Sequence, residues 1–166
     1  NAMGLSDTQY AAETVKKCGI AGTKLHVIVN GTEENVNTSH EAGHHHHHTL
    51  SDIISIINGT SAPEEVKAKA ISVYGLLANA ESAVHHTDVS SIHFHEVGTL
   101  DAIADILAFC YLINKLNIEY VVASPVNVGS GTVKCAHGIL PVPAPATAYL
   151  LKDVPIYSGN IKSELC

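Results

Sequence analysis

Between Ser61 and His86, apolar residues return every three or four positions, at Val66, Ala70, Val73, Leu77 and Ala80. That spacing lines one face of an α-helix. Pro63, Glu64 and Glu65 give the helix its start: proline suits the first turn, and acids suit the positive end of the dipole. A second long helix is predicted after Thr99, which can cap it, with Ile103, Ile106, Leu107, Cys110, Leu112 and Ile113 as its apolar positions. Ser51 to Ile57 reads as a short apolar helix stopped by Asn58-Gly59. Asp7 to Cys18 also reads as a helix, because Tyr10, Thr14 and Val15 recur at helical spacing and Gly19 can stop it. Pro145 opens a final helix to Lys152, after the stiff, extended run Pro141 to Pro145.

Strand patterns lie between these helices. Lys24 to Val29 is predicted as a strand ended by the turn pair Asn30-Gly31. Ser91 to Val97 is short and β-like, and Tyr120 to Ala123 reads as a buried strand closed by Ser124-Pro125. Val126 to Val133 alternates loosely around Gly129-Ser130-Gly131, which predicts a hairpin or a bulged strand, and Ile156-Tyr157 is extended. Gly31 to His48 is polar and aperiodic, as a mobile loop would be. Strands alternating with helices predict an α/β fold, a layered domain of helices against a small mixed sheet, with a disordered His-rich loop.

Composition narrows the function classes. A chain of 166 residues fits one domain, or one domain with an appended segment. With 46% hydrophobic and 15% charged residues it can bury a core, and with no Trp and 2 Phe that core must be aliphatic. The formal charge of −7 argues against nucleic acid and anionic membrane as partners. No apolar run approaches the roughly 20 residues that span a bilayer, and no signal peptide is evident. Cys18, Cys110, Cys135 and Cys166 form no C-x-x-C pair, so a reducing, cytoplasmic location is expected. Asn1-Ala2 ahead of Met3 reads as the remnant of a cleaved tag, leaving 3–166 as the fragment to interpret.

The 12 histidines carry the chemistry. His44, His45, His46, His47 and His48 are consecutive, with His40 and Glu41 nearby. Imidazole suits nickel, zinc and copper, so this run has the chemistry to bind such ions. An expression tag or a passive spacer would look the same, although tags are normally terminal and this run is internal. A second cluster is His93-Phe94-His95-Glu96-Val97-Gly98, followed by Asp101 and Asp105. Residues two apart on a strand share a face, so His93 and His95 can point together. Asp101 and Asp105 are one helical turn apart. A His-His-carboxylate set fits a first-row divalent ion. The plainer reading makes Asp101 a helix-dipole partner and the histidines ordinary strand residues. Gly129, Ser130 and Gly131, with His137 following, could turn backbone amides towards a phosphate, but a tight turn explains the same glycines more simply. No G-x-S-x-G elbow supports a hydrolase drawn through Ser124, Ser130 and His137.

Taken in order, these segments resemble the LarC family of nickel insertion proteins. The resemblance rests on the His-rich tract leading into Leu50-Ser51-Asp52-Ile53, on His93 to Gly98, on Asp101 and on Asp105-Ile106. It continues through Ala123-Ser124-Pro125, Gly129-Ser130-Gly131, His137-Gly138 and Leu140 to Thr147. The resemblance implies insertion of Ni2+ into a pyridinium bisthiocarboxylate mononucleotide, giving the nickel-pincer cofactor of lactate racemase and related apoenzymes. It also implies use of CTP with Mg2+ or Mn2+ by the full-length protein. His93, His95, Glu96 and Asp101 would then be catalytic. His44 to His48 and Asp105 would join those four as metal ligands, and Gly129, Ser130, Gly131 and His137 would contact the mononucleotide. The family's Gly- and Asp-rich opening segment has no match here, nor do its T-P-T-G stretch and C-terminal domain. The resemblance therefore implies a fragment of the N-terminal part, inactive alone, with the missing C-terminal domain as a partner. A nickel buffer or sensor, or a metal-dependent hydrolase using the same cluster, is the alternative.

Overall fold

A computed structural model describes residues 4–5, 8–33, 48–95, 97–135 and 137–166. It is mixed α/β, with four α-helices and four small sheets among the described residues. The expected mobile loop falls mostly on 34–47, outside the described residues. The chain divides into two compact units, one made of residues 1–71 and 93–115, the other of 72–92 and 116–166.

The first unit opens with a correction. Residues Thr8–Lys17 form a strand, β1, not a helix. It pairs antiparallel along its whole length with β2, Ile20–Val29. Thr8, Tyr10, Thr14 and Val15 are β-branched or aromatic and fit a pleated surface better than a helix. Cys18 and Gly19 both have positive φ, 50° and 81°, as the two-residue turn of a tight hairpin requires. Gly19 is therefore a hairpin turn and not a helix stop. The predicted turn at Asn30-Gly31 is present, with φ of 52° and 78°, and returns the chain into β3, Thr32–Glu33.

On one face of this sheet His26 sits between two acids. Its Nδ1 lies 2.8 Å from Glu33 Oε1 and its Nε2 lies 3.0 Å from Glu13 Oε1. Lys24 Nζ stands 3.4 Å from the same Glu33 oxygen. Hydrogen bonding to Glu33 and then to Glu13 raises the His26 pKa above its ordinary 6.5. The bond to His26 lowers Glu33 below its ordinary 4.5. A raised histidine stabilises fully below its unfolded pKa and loses that contribution as pH rises through the folded one. A lowered carboxylate stabilises above its unfolded pKa and loses its contribution as pH falls through the folded one. The trio should therefore support the hairpin most strongly between pH 4.5 and 6.5. An NMR titration of His26 should show a raised midpoint that moves back down in Glu33→Gln; an unmoved midpoint would remove the trio from the account.

The rest of this unit is helical. Thr49 caps α1, Leu50–Asn58, through a reciprocal box: Asp52 N–H donates to Thr49 Oγ1 at 3.3 Å, and Thr49 N–H donates to Asp52 Oδ2 at 2.9 Å. The helix α2 runs Glu64–His85, as the apolar spacing predicts, and α3 runs Leu100–Leu116. Ile53, Ile57, Val66, Ala70, Ile103, Ala104 and Leu107 are fully buried and form an aliphatic core. Lys69 Nζ donates to Asn114 Oδ1 at 3.3 Å, tying α2 to the end of α3. Two short strands, β4 (His48–Thr49) and β5 (His93–Phe94), pair antiparallel, His48 with Phe94 and Thr49 with His93.

In the second unit, Tyr120 to Ala123 is the other correction. These residues form no strand, and Tyr120, Val121 and Val122 are 77%, 75% and 83% exposed. Strand-forming side chains alone do not make a strand where no neighbour offers a ladder. The first strand after them is β6, Val126–Asn127, paired in parallel with β9, Ile156–Tyr157. The predicted hairpin is present but lies further on. It pairs β7, Thr132–Cys135, with β8, Gly138–Pro141. Pro145 opens α4, Pro145–Leu150, as expected. No helix among the described residues is long and apolar enough to cross a membrane.

Candidate metal centre

The pairing of β4 with β5 is the local event that builds the centre. It fastens the last residue of the histidine tract, His48, against the strand that carries His93. Phe94 anchors the strand, being 1% exposed, while His93 on the other face is open to solvent. His95 follows, partly buried. The chain then turns back so tightly that a Cβ on Gly98 would lie 2.7 Å from Phe94 Cβ and 2.8 Å from its carbonyl oxygen. Only glycine permits this approach. Asp52 lies close enough to His48 and His93 to feel both charges. Its pKa is lowered by the hydrogen bonds from the Thr49 side chain and backbone, with smaller help from the two histidines.

The carboxylates of α3 form a second focus. Asp101 stands in the first turn, where the Thr99 hydroxyl donates a hydrogen bond to it. Asp105 follows one turn later. Its pKa is raised by partial desolvation first and by the negative charge of Asp101 second. The hydroxyl of Tyr10, from β1, is buried without a hydrogen-bond partner among the described residues. Desolvation raises its pKa, with a further contribution from Asp105. Two like charges beside an unsatisfied hydroxyl give an environment that a cation would relieve.

The candidate ligands thus fall into parts. His48, opposite Phe94, and His93, opposite Thr49, leave opposite faces of the two-strand ladder, and both lie near enough to Asp52 to lower its pKa. Asp101 and Asp105 are brought together near Tyr10. His44 to His47 and Glu96 lie outside the described residues, and among the described ones no three His, Cys, Asp or Glu side chains stand close enough to hold an ion. Asp52 and Tyr10 were not legible as members. A capping box was the only signal for Asp52, and Tyr10 was obscured by reading its strand as a helix.

Gly129, Ser130 and Gly131 lie in the second unit. The N–H of Gly129 donates to Asn127 Oδ1 at 3.1 Å and that of Ser130 to Ser163 O at 3.2 Å. The Ser130 hydroxyl donates to Ile161 O at 2.9 Å, and the Ser158 hydroxyl donates to Gly129 O at 2.6 Å. Two amides of the expected phosphate cradle therefore already have acceptors. His137 sits at the exposed β7–β8 turn, its ring 4.9 Å from that of His85 at the end of α2. In the same unit a cleft of about 440 Å3 is lined by Leu76, Asn79, Ser82 and Ala83 of α2 and by Tyr149 and Leu150 of α4.

A family model described as "Nickel insertion protein" matches residues 1–166. The chain belongs to the nickel insertion protein family. Similar proteins include one from Desulfitobacterium hafniense, 44% identical over 163 residues, covering 98% of this chain and 38% of the relative. Another, from Geobacillus kaustophilus, is 41% identical over 163 residues and covers 98% and 39%. A third, from Clostridium kluyveri, is 40% identical over 159 residues and covers 96% and 40%. All three carry the name pyridinium-3,5-bisthiocarboxylic acid mononucleotide nickel insertion protein. The chain thus spans about two-fifths of the length of these nickel insertion proteins. No solved structure matches it.

Proposed function

We propose that this chain gathers nickel and passes it to a pyridinium bisthiocarboxylate mononucleotide, within a longer nickel insertion protein. The observation that carries the reading is the β4–β5 pairing. The histidine tract ends at His48, and His48 is zipped beside the strand of His93 and His95. An ion captured by the tract would then be held beside the strand that carries His93 and His95. Imidazoles suit this step because they bind nickel well yet can release it to a softer set of donors.

The acceptor offers two thiocarboxylate sulfurs and one ring carbon. Forming the nickel–carbon bond breaks a carbon–hydrogen bond, and the ring proton needs a base. We assign that proton to the set His93, His95, Glu96 and Asp101. Asp101 and Asp105, as hard oxygen donors, suit Mg2+ or Mn2+ better than nickel. In this reading they serve the CTP-consuming step of the longer protein, with the remainder of the chain supplying the nucleotide contacts. Gly129, Ser130 and Gly131 enter as scaffolding for the hairpin that carries His137, since two of their amides are already engaged. The loaded pincer would pass to an apoenzyme of the lactate racemase type.

Mixing this chain with Ni2+, CTP, Mg2+ and the precursor tests the reading through the absorbance of the nickel pincer. The chain alone should give no turnover. Adding the rest of the protein as a separate polypeptide should restore activity in a concentration-dependent way, because the reacting groups lose their effective concentration when split between two molecules. Turnover by the chain alone would place the chemistry here. No turnover by the full-length protein would leave a nickel buffer as the better reading.

A further inference from the structure

The outer half of the β1–β2 hairpin is covered on neither face. Ala12 to Lys17 pair with Ile20 to Leu25, and all of these residues are exposed except Val15, which is half-buried. Successive side chains of a strand alternate between faces, so both faces of this stretch meet solvent. A two-stranded ribbon without a core on either side is marginal in water. Two large apolar side chains, Ile20 and Leu25, stand exposed on it. In the sheet order β1-β2-β3, β1 is also the edge. Its outer rim of N–H and C=O groups has no strand beside it among the described residues, and such a rim is a template for a further strand.

We infer that this rim pairs with the same rim of a second copy of the chain, antiparallel about a two-fold axis at Val15. The register within the hairpin decides which groups are open. Lys17 opposite Ile20 closes the two-residue turn, and such a closing pair exchanges both of its backbone hydrogen bonds. Bonded and non-bonded pairs then alternate, so Val15 and Glu13 also bond to β2. The N–H and C=O groups of Ala12, Thr14 and Lys16 point the other way. A ladder between two copies can therefore join only even-numbered residues to even-numbered ones. Among the registers this leaves, one alone sets opposite charges face to face, the one centred on Val15. It places Glu13 against Lys17 of the second copy and, by symmetry, Lys17 against its Glu13. An axis at Glu13 or at Lys16 would set like charges against each other. In the favoured register Thr14 and Lys16 exchange bonds with Lys16 and Thr14 of the second copy, and Val15 meets its own counterpart. Only the outer ends of the two hairpins overlap, so no other part of either copy need move. A contact of this size is weak and depends on protein concentration. The inference does not depend on nickel, the precursor or CTP.

The test is sedimentation of the whole chain from micromolar to millimolar concentration, with a chelator present so that the histidine tract cannot bridge copies through a metal ion. A reversible monomer–dimer equilibrium is expected. Over the same range, hydrogen exchange at the amides of Thr14 and Lys16 should slow as the dimer fills. Lys17→Glu, which turns both charge pairs repulsive, should weaken the dimer about tenfold. Thr14→Pro removes an outward amide, which an edge strand tolerates, and should abolish the dimer while leaving the β1–β2 ladder in place. Val121→Asp, in the other exposed apolar run, should leave the dimer unchanged. A monomer at every concentration overturns the proposal and leaves the rim to the remainder of a longer protein. So does a dimer that survives Thr14→Pro, or one that protects Tyr10 and Ala12 in place of Thr14 and Lys16. The wild-type exchange rates decide the question even if a variant fails to fold.

Discussion

Alanine in place of Gly129 is expected to unfold the β6–β9 region of the second unit. Gly129 has φ of 81°, and it forms an antiparallel bridge with Glu164. A Cβ at this position would lie 1.8 Å from the carbonyl oxygen of Ser163 and 3.3 Å from Leu165 Cγ. The oxygen cannot retreat without giving up the bond it accepts from Ser130 N–H, and the bond from Leu165 N–H to Val128 O at 3.4 Å goes with it. The left-handed backbone alone costs a side chain about 1–2 kcal/mol. With the clash and the lost ladder, a total of about 3–5 kcal/mol is expected. Gly131 is the internal control. Its φ is 91°, but an added Cβ would meet only Lys162, at 3.9 Å, so Gly131→Ala should show little beyond the backbone strain. Hydrogen exchange across 126–130 and 156–165 should rise in the first variant and stay near wild type in the second. Equal effects would mean that the bridge is not what makes Gly129 a glycine.

In the full-length protein, His93→Ala and His95→Ala should each abolish insertion while leaving the fold in place. The fold expectation follows from burial: His93 is exposed and His95 is only partly buried, whereas Phe94 between them is the packed residue. Outer partners of a metal site commonly cost about 10–100-fold when removed, and a ligand or base should cost more. The fall should therefore exceed about 100-fold in the rate of pincer formation, with nickel binding to the histidine tract retained. Phe94→Ala should instead lower stability by about 3–5 kcal/mol, as loss of a buried aromatic ring does. Wild-type activity in both histidine variants would reduce the segment to a structural strand end.

The parts of the fold legible in the sequence were those governed by local rules. The helices α1, α2, α3 and α4 announced themselves through apolar spacing, Pro63 and Pro145, and the turn at Asn30-Gly31 through its residue types. The two corrections share one cause, which is that pairing partners are not a local property. Thr8 to Lys17 carries strand-forming residues, but its commitment to a strand comes from ten paired positions on β2. Tyr120 to Ala123 also carries strand-forming residues but has no such partner among the described residues. The candidate site shows the same division. His93 and His95 stand out by spacing, while the nearness of His48 to His93 depends on two strands separated by two helices. The approach of Tyr10 to Asp105, and of His137 to His85, likewise follows from packing that no spacing in the chain encodes.

The uncovered run Tyr120 to Val122 has a colloidal consequence. It offers consecutive apolar side chains together with unladdered backbone, the combination through which separate molecules adhere edge to edge. At neutral pH the charge of −7 keeps copies apart. Lowering the pH towards the isoelectric point removes that repulsion. The chain is therefore expected to be least soluble near its isoelectric point of about 5.9. Glu33 and His26 hold the β1–β2–β3 hairpin most firmly in that same range, so molecules that come out of solution there do so with this part of the fold intact.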